Sequence, residues 1–374
     1  MKLSKVIVLL MIASMLIVSC GDKSKNVEPT PDPIPTQWGK TKVTEAVGQL
    51  DDIVDNIKTS FDYTTETVES SPNAKSVTQI TSNNEKDVSI KDPDHHPSDE
   101  TIIYTEYRVP SSDDLDYNYS SVIWSQNPEA KARVRVTEGT FNNGQAVFNN
   151  SGTDIIFASA RSNKNEGIWR IKSDGLGGIL KLTEFNTSSL RHPTIGALDR
   201  VAFHAVDPRY KNSDGGAERP FIWLMEDDGS LPTQLRYGRN PNFSPAGNTI
   251  VYTRKDERNE MSQIFTMDTD GGAITQLTFN IDYDIKDPAW DPTGSFITYA
   301  SNEGKATVEM DTTDTHSNND YNIWVMRSDG TNKTQLTTNQ SHDEQPVFNY
   351  DGEYIYFRSN RGGFWNIWRF EPVF

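Results

Sequence analysis

Short apolar runs alternate with polar turns along most of the chain, and six of these runs contain an isoleucine followed by a large aromatic residue. The six pairs are Ile123-Trp124, Ile168-Trp169, Ile222-Trp223, Ile264-Phe265, Ile323-Trp324 and Ile367-Trp368. The aromatic residue recurs after 45, 54, 42, 59 and 44 residues. A repeat of about 40–45 residues is typical of one four-stranded propeller blade. The spacing therefore predicts a β-propeller with six blades.

The residues around each pair predict four short strands per repeat. In the fourth repeat, residues 241–247 (PNFSPAG) lead into an alternating run at 250–252, ahead of the Ile-aromatic pair. An Asp-Gly turn and the phrase TQLT at 275–278 follow the pair. Runs of β-branched and aromatic residues separated by such turns are typical of antiparallel strands. The predicted fold class is all-β.

The two ends of the chain predict how the propeller closes. The sixth repeat reaches Phe374 without its fourth strand, whereas an isolated phrase TQIT lies at residues 78–81. An unclosed ring of blades leaves strand edges that favour aggregation. We therefore expect the N-terminal strand to complete the last blade by pairing with the strand of Ile367-Trp368.

The residues ahead of the propeller divide into three predicted segments. Residues 1–19 are typical of a signal peptide, with two lysines before an apolar run that is too short for a stable membrane anchor. Residues 20–40 are polar and proline-rich, which predicts an extended tether. Residues 41–74 contain apolar positions at gaps of three and four, which favour a short amphipathic helix. The helix would pack on the propeller, or would await a partner protein. The propeller itself is predicted over residues 75–374.

The only cysteine, Cys20, lies where the apolar run ends. The sequence Ile17-Val18-Ser19-Cys20 resembles a bacterial lipobox, whose cysteine receives a lipid and becomes the new N-terminus. The alternative is an ordinary secretory signal that contains a cysteine. A lipidated Cys20 implies a membrane-anchored protein of the bacterial cell envelope, and Gly21 in place of an aspartate favours the outer membrane. It also leaves no thiol for a disulfide or a metal site.

The net charge excludes some classes of partner. The chain has a formal net charge of −17, and loss of residues 1–19 would remove Lys2 and Lys5 and no acid, giving −19. Such a charge argues against nucleic acid as a partner and against a basic patch that docks on anionic lipid. We therefore expect the lipid on Cys20 to hold the protein at the membrane.

The repeat motifs, taken together over about residues 75–374, resemble the TolB-like propeller repeats, a WD-repeat-like family of bacterial envelope proteins. The resemblance implies the six-bladed fold. The shared residues belong to the framework, so function has to be argued from the site itself. TolB has a further N-terminal α/β domain, and the roughly 35 residues ahead of the first strand here are too few for one.

The residues just before the six inner strands are polar and are expected to surround one mouth of the central channel. They are His96, Gln145, His192, Asn240, Asp287 and Gln345. Arg191, Arg239 and Lys286 precede three of them and form a cationic rim, which favours an anionic or polyhydroxyl ligand. The alternative is that strand starts are polar because they are solvated. Three long loops, at about residues 109–120, 207–219 and 303–321, are expected on the same face.

The sequence contains no nucleophile elbow, no phosphate-binding Gly-Lys-Ser loop and no His-Glu-x-x-His motif. We therefore expect a non-catalytic, monomeric binding module for a glycan, a peptide or an envelope protein, without a cofactor. The competing hypothesis is a metal-dependent polysaccharide lyase of the oligogalacturonate type. In that case His96, His192, His342 and Gln345 would hold a divalent metal over the channel.

Overall fold

The computed structural model describes residues 71–108, 120–130, 132–161, 165–185, 188–211, 218–255, 261–304 and 320–374. These residues form six four-stranded antiparallel sheets arranged as the blades of a propeller. None of them forms a helix that is long and apolar enough to cross a membrane. The predicted signal peptide, Cys20, the tether, the helical segment and most of the three long loops lie outside the described residues.

Each blade is numbered in chain order and runs from the inner to the outer strand. Blade 1 contains β2 (Val88–His95), β3 (Ile102–Arg108), β4 (Ser120–Gln126) and β5 (Arg133–Arg135). Blade 2 contains β6 (Asn143–Phe148), β7 (Asp154–Ser159), β8 (Gly167–Lys172) and β9 (Leu180–Lys181). Blade 3 contains β10 (Ser189–Ile195), β11 (Arg200–Lys211), β12 (Glu218–Glu226) and β13 (Thr233–Tyr237).

Blades 4 to 6 repeat this order. Blade 4 contains β14 (Arg239–Phe243), β15 (Thr249–Lys255), β16 (Ser262–Asp268) and β17 (Thr275–Gln276). Blade 5 contains β18 (Ile285–Trp290), β19 (Phe296–Ser301), β20 (Asn322–Arg327) and β21 (Thr334–Gln335). Blade 6 contains β22 (Asp343–Phe348), β23 (Ile355–Ser359), β24 (Asn366–Pro372) and, as its outer strand, β1 (Ala74–Gln79).

The N-terminal strand closes the ring, as the sequence predicts. β1 pairs with β24, with Thr78 opposite Arg369 and Gln79 opposite Trp368. Beyond the ladder, the backbone N–H of Ile80 donates to the Ile367 carbonyl at 2.8 Å. The Thr81 hydroxyl lies 2.9 Å from the Asn366 side-chain oxygen and accepts from the Ile367 N–H at 2.9 Å. The first and last described strands are therefore joined by backbone and side-chain hydrogen bonds.

The isoleucine of each repeated pair lies in the third strand of its blade and is fully buried. The apolar clusters span neighbouring blades: Ile367 and Tyr356 of blade 6, for example, pack with Ile102 and Tyr104 of blade 1. Burial of such side chains stabilises the fold by about 1.5–3 kcal/mol each. The core is therefore distributed over the blade interfaces, and the strand ends are free to carry polar groups.

Candidate binding site at the channel mouth

Each inner strand begins at one mouth of the central channel, and each contains a residue with a left-handed backbone near that mouth. These residues, called the ring below, are Asp92, Gln145, His192, Asn240, Asp287 and Gln345, with φ between 50° and 54°. The ladder register between inner and second strand shifts at every one of them. A bulge of this kind re-aims a side chain, and all six blades use it in the same place. The ring is thus a repeated feature of the fold.

The ring contains five of the six residues that the sequence predicts, but Asp92 occupies the position assigned to His96. Blade 1 has two X-Pro dipeptides, Asp92-Pro93 and His96-Pro97, and the prediction chose the second. The ladder decides between them, because Asp94 lies opposite Ile103 just as Val147 of blade 2 lies opposite Ile156.

His96 therefore lies beyond the end of β2, at the opposite mouth. Its ring packs edge-on against Phe148 at a centroid distance of 5.0 Å. The same shift in register changes the rim, because Lys91 directly precedes the ring residue of blade 1. Blade 1 thus adds a fourth cation to the three that were predicted.

Hydrogen bonds run around the ring from blade to blade. The Asp92 N–H donates to the Gln345 side-chain oxygen at 2.8 Å, and the Gln345 amide donates back to Asp92 at 2.9 Å. Gln145 accepts from the His192 N–H at 3.0 Å and lies 3.0 Å from its Nε2 atom. Asn240 donates to Asp287 at 2.7 Å. The ring side chains therefore have a structural role, because they form hydrogen bonds between neighbouring blades. Solvation of the strand starts alone does not explain why they are polar.

The junction between blades 3 and 4 departs from this pattern. The Asn240 N–H faces Nδ1 of His204, a residue of β11, at 3.3 Å. The His204 ring stacks on His192 with centroids 5.2 Å apart and planes 19° apart. Burial lowers the pKa of His192 to about 4, and that of His204 falls well below its ordinary value for the same reason. Both imidazoles are therefore neutral at physiological pH.

Three rim cations converge on this part of the ring. After burial and the opposing effect of Asp92, the charges of Arg191, Lys91 and Arg239 lower the His192 pKa further. Arg191 forms an ion pair with Glu166, and the Lys91 ammonium lies 4.8 Å from the centre of the Tyr107 ring. Arg239 is exposed and forms no ion pair with any described residue. Three cations thus lie near His192 at this mouth, together with the carboxylates of Asp92 and Glu166, and Arg239 is the one of the three without an ion pair to a described residue.

Lys286, the third predicted rim cation, is held in a separate cluster. It donates to Glu344 and lies 3.8 Å from the centre of the Tyr321 ring. Glu344 also accepts from Arg358 and lies 3.0 Å from His342. Burial would raise the pKa of Glu344, but the His342 hydrogen bond and the charges of Arg358 and Lys286 hold it well below its usual range. Lys286 is thus neutralised within the protein.

The channel is narrow below the ring. The cavity bounded by the ring has a volume of about 120 Å³ and continues into a second cavity of about 220 Å³ toward the opposite mouth. Small-molecule sites usually have volumes of about 300–1,000 Å³. The upper cavity therefore admits a single small group, and a larger ligand would lie across the mouth.

The positions of the four residues proposed as metal ligands can be compared with the structure. His96 lies at the opposite mouth, Gln345 is bonded to Asp92, and His342 contacts Glu344 outside the ring. The four residues of the lyase hypothesis are therefore not brought together. Among the described residues, no group of three or more His, Cys, Asp or Glu side chains has an arrangement suited to a metal ion.

Sequence reasoning missed Lys91, Asp92, His204 and Arg358. The first two follow from the ambiguous X-Pro dipeptide. His204 and Arg358 come directly after the buried second-strand aromatics Phe203 and Phe357, where the other blades have Thr105, Ala158, Thr253 and Ala300. An alignment of the six second strands would have singled out both residues as unusually large and polar.

No family model matches the chain, and no curated protein matches it. Solved structures do, among them a chain described as TolB from Agrobacterium tumefaciens, with 16% identity, a TM-score of 0.54, and coverage of 79% of this chain and 97% of that one. The protein has the TolB-like six-bladed propeller fold.

Other solved structures that match the chain are enzymes of different kinds. An oligogalacturonate lyase in complex with manganese shares 9% identity at a TM-score of 0.51, covering 79% of this chain and 93% of that one. A gluconolactonase from Xanthomonas campestris shares 11% identity at a TM-score of 0.54, covering 79% of this chain and 89% of that one. At these identities the likeness is one of fold alone.

Proposed function

We propose that this chain is a lipid-anchored TolB-like propeller of the bacterial cell envelope that binds an anionic ligand at the channel mouth, without catalysis. The observation that carries the proposal is the convergence of Lys91, Arg191 and Arg239 beside the ring. In a chain of net charge −17, a local group of cations is a feature that would attract an anionic group. Arg239, which is exposed and has no ion pair with a described residue, is the cation most available to a ligand. The envelope location rests on Cys20 and agrees with the fold.

The size of the channel limits how much of a ligand can enter it. The cavity of about 120 Å³ at the ring is below the usual volume of a small-molecule site, so it suits a carboxylate or sulfate group better than a whole sugar ring. The ligand is therefore an acidic glycan or an acidic polypeptide segment that lies across the mouth and places one anionic group over the ring. Its contacts would be hydrogen bonds to the guanidinium groups of Arg191 and Arg239, which suit paired oxygen atoms.

The proposal is tested by screening acidic and neutral oligosaccharides and peptides against the protein. A ligand of the mouth binds K91A/R191A/R239A about tenfold more weakly than the wild type, since each solvent-accessible cation contributes about 0.2–1 kcal/mol. The matched control is K172A/R327A, which removes exposed cations from strand ends on the opposite face. Acidic ligands that bind the triple variant and the wild type equally would place the site elsewhere.

A further inference from the structure

The connections from the outer strand of one blade to the inner strand of the next lie on the same face as the channel mouth. In the connection from blade 4 to blade 5, Phe279 and Ile281 are 73% and 67% exposed. The matching positions of four other connections are polar, namely Ser82 and Asn84, Glu138 and Thr140, Glu184 and Asn186, and Thr338 and Gln340. The fold therefore does not require apolar residues there.

The connection is fixed from below by a buried side chain. Gln263, which is almost fully buried, accepts from the Asn280 N–H at 3.2 Å and donates to the Asn280 carbonyl at 2.8 Å. It also accepts from the Thr278 hydroxyl at 2.9 Å. Because Asn280 is held inward in this way, the residues on either side of it face solvent.

The connection from blade 6 to blade 1 has the same clamp. There Asn366 accepts from the Asn83 N–H at 2.7 Å and donates to the Asn83 carbonyl at 2.9 Å. It lies 2.9 Å from the Thr81 hydroxyl. Ser82 and Asn84, which flank Asn83, are exposed. Polar residues thus suit the same local geometry, and Phe279 and Ile281 expose apolar surface on a rigid support.

The charges around this apolar pair are negative. Asp282 follows Ile281 and is exposed. The neighbouring Tyr283 has its pKa raised to about 12, first by burial and then by the charges and hydrogen bond of Glu303 and by Asp282. An apolar pair beside two carboxylates complements a ligand that combines an apolar group with a cation. The excess of acidic residues in the whole chain steers the same kind of ligand.

We propose that Phe279, Ile281 and Asp282 form a docking surface for a polypeptide segment that presents an apolar side chain next to a lysine or arginine. A neutral sugar would bring no cation to Asp282, and a second copy of this acidic chain would be repelled. This surface lies outside the ring mouth and does not depend on the anionic ligand proposed there. It gives the propeller a second contact on the same face.

The test selects random phage-displayed peptides on the full-length protein and measures the affinity of the enriched peptides by fluorescence anisotropy. The expected peptides pair leucine, isoleucine or an aromatic residue with lysine or arginine. The F279S/I281N variant copies the blade 6 to blade 1 connection, so it keeps the fold, and it binds these peptides at least about tenfold more weakly. D282N weakens binding about two- to fivefold, as expected for an exposed ion pair.

A transplanted pair separates specific docking from general stickiness. T338F/Q340I, added to F279S/I281N, places the same apolar side chains where Ser341 and His342 follow instead of Asp282 and Tyr283, and binding is not restored. Restored binding, acidic consensus peptides, or peptides that bind wild type and F279S/I281N equally would overturn the proposal. So would a result in which the pair governs only sedimentation with phosphatidylcholine–phosphatidylglycerol vesicles or concentration-dependent self-association.

Discussion

At the scale of single residues, blade 6 contains a fully buried ion pair. Arg361 donates to Asp343 at 2.6 Å, with both side chains inaccessible to solvent, and it also donates to the Ser359 hydroxyl at 3.0 Å. In blade 2 the corresponding Arg161 donates to the neutral Asn143 at 2.7 Å and to Ser159 at 3.0 Å. The repeat therefore offers both a charged and a neutral partner for the same arginine.

Removing the acid should destabilise the protein more than neutralising it. D343A leaves the buried Arg361 unpaired, and we expect a loss of about 3–5 kcal/mol in the free energy of unfolding. D343N keeps the hydrogen bond that Asn143 accepts in blade 2, although Arg361 is fully buried and Arg161 is not, and it should cost about 1–3 kcal/mol less than D343A. Urea unfolding measures both, with D351A as an exposed-charge control. Equal losses for D343A and D343N would show that the pair acts through its charge alone.

The buried His192 predicts a dependence of stability on pH. Its pKa is about 4 in the fold and about 6.5 in an unfolded chain, so the unfolded state binds more protons between these values. Stability from this group is therefore full above about pH 6.5 and falls by on the order of 3 kcal/mol as the pH drops to about 4.

Asp287 acts in the opposite sense. Burial raises its pKa to about 6, so its contribution to the stability of the fold is present below the ordinary pKa of an aspartate and is lost as the pH rises through about 6.

The effect of His192 on stability is isolated by comparing wild type with H192Q, which copies the glutamines of blades 2 and 6. Urea unfolding should show the wild type losing stability relative to H192Q between pH 6.5 and 4. A difference that does not change with pH would contradict a buried neutral His192.

At the scale of elements, strand β1 decides whether the ring is closed. Deletion of residues 75–82 exposes the edge of β24, and we expect a less stable protein that self-associates. T81A removes two buried hydrogen bonds and should cost about 1–3 kcal/mol, whereas T78A at an exposed ladder position should cost little. Urea unfolding and sedimentation velocity test these outcomes. A deletion variant as stable and monomeric as the parent would rule out closure by β1.

Strand-level features could be predicted because they depend on burial. The first position of each repeated pair is buried in every blade and therefore has to hold an apolar residue. The repeat of this position allows the number of blades and the closing strand to be predicted from the sequence. The sequence does not predict the register of the inner strand of blade 1, because Asp92-Pro93 and His96-Pro97 fit the X-Pro pattern of the inner strands equally. The pairing of Lys286 with Glu344 was also missed, because the two residues are 58 positions apart and meet only between neighbouring blades.

For the molecule as a whole, one face of the propeller carries two surfaces of opposite charge. Cations from blades 1, 3 and 4 lie beside the ring near His192, while the connection between blades 4 and 5 is apolar and acidic. The charge of −17 would repel polyanions from most of the surface. Attraction of a polyanion would thus have to come from a local cluster.

The binding of dextran sulfate, compared with that of neutral dextran, tests whether the channel mouth is an anion site. The wild type should bind dextran sulfate at low salt and release it at about 1 M salt, where the Debye length is only about 3 Å. It should bind neutral dextran at neither salt concentration. K91A/R191A/R239A should lose about tenfold in affinity, and K172A/R327A should match the wild type. Equal binding by the triple variant and the wild type, or no binding of dextran sulfate at low salt, would contradict an anion site at the channel mouth.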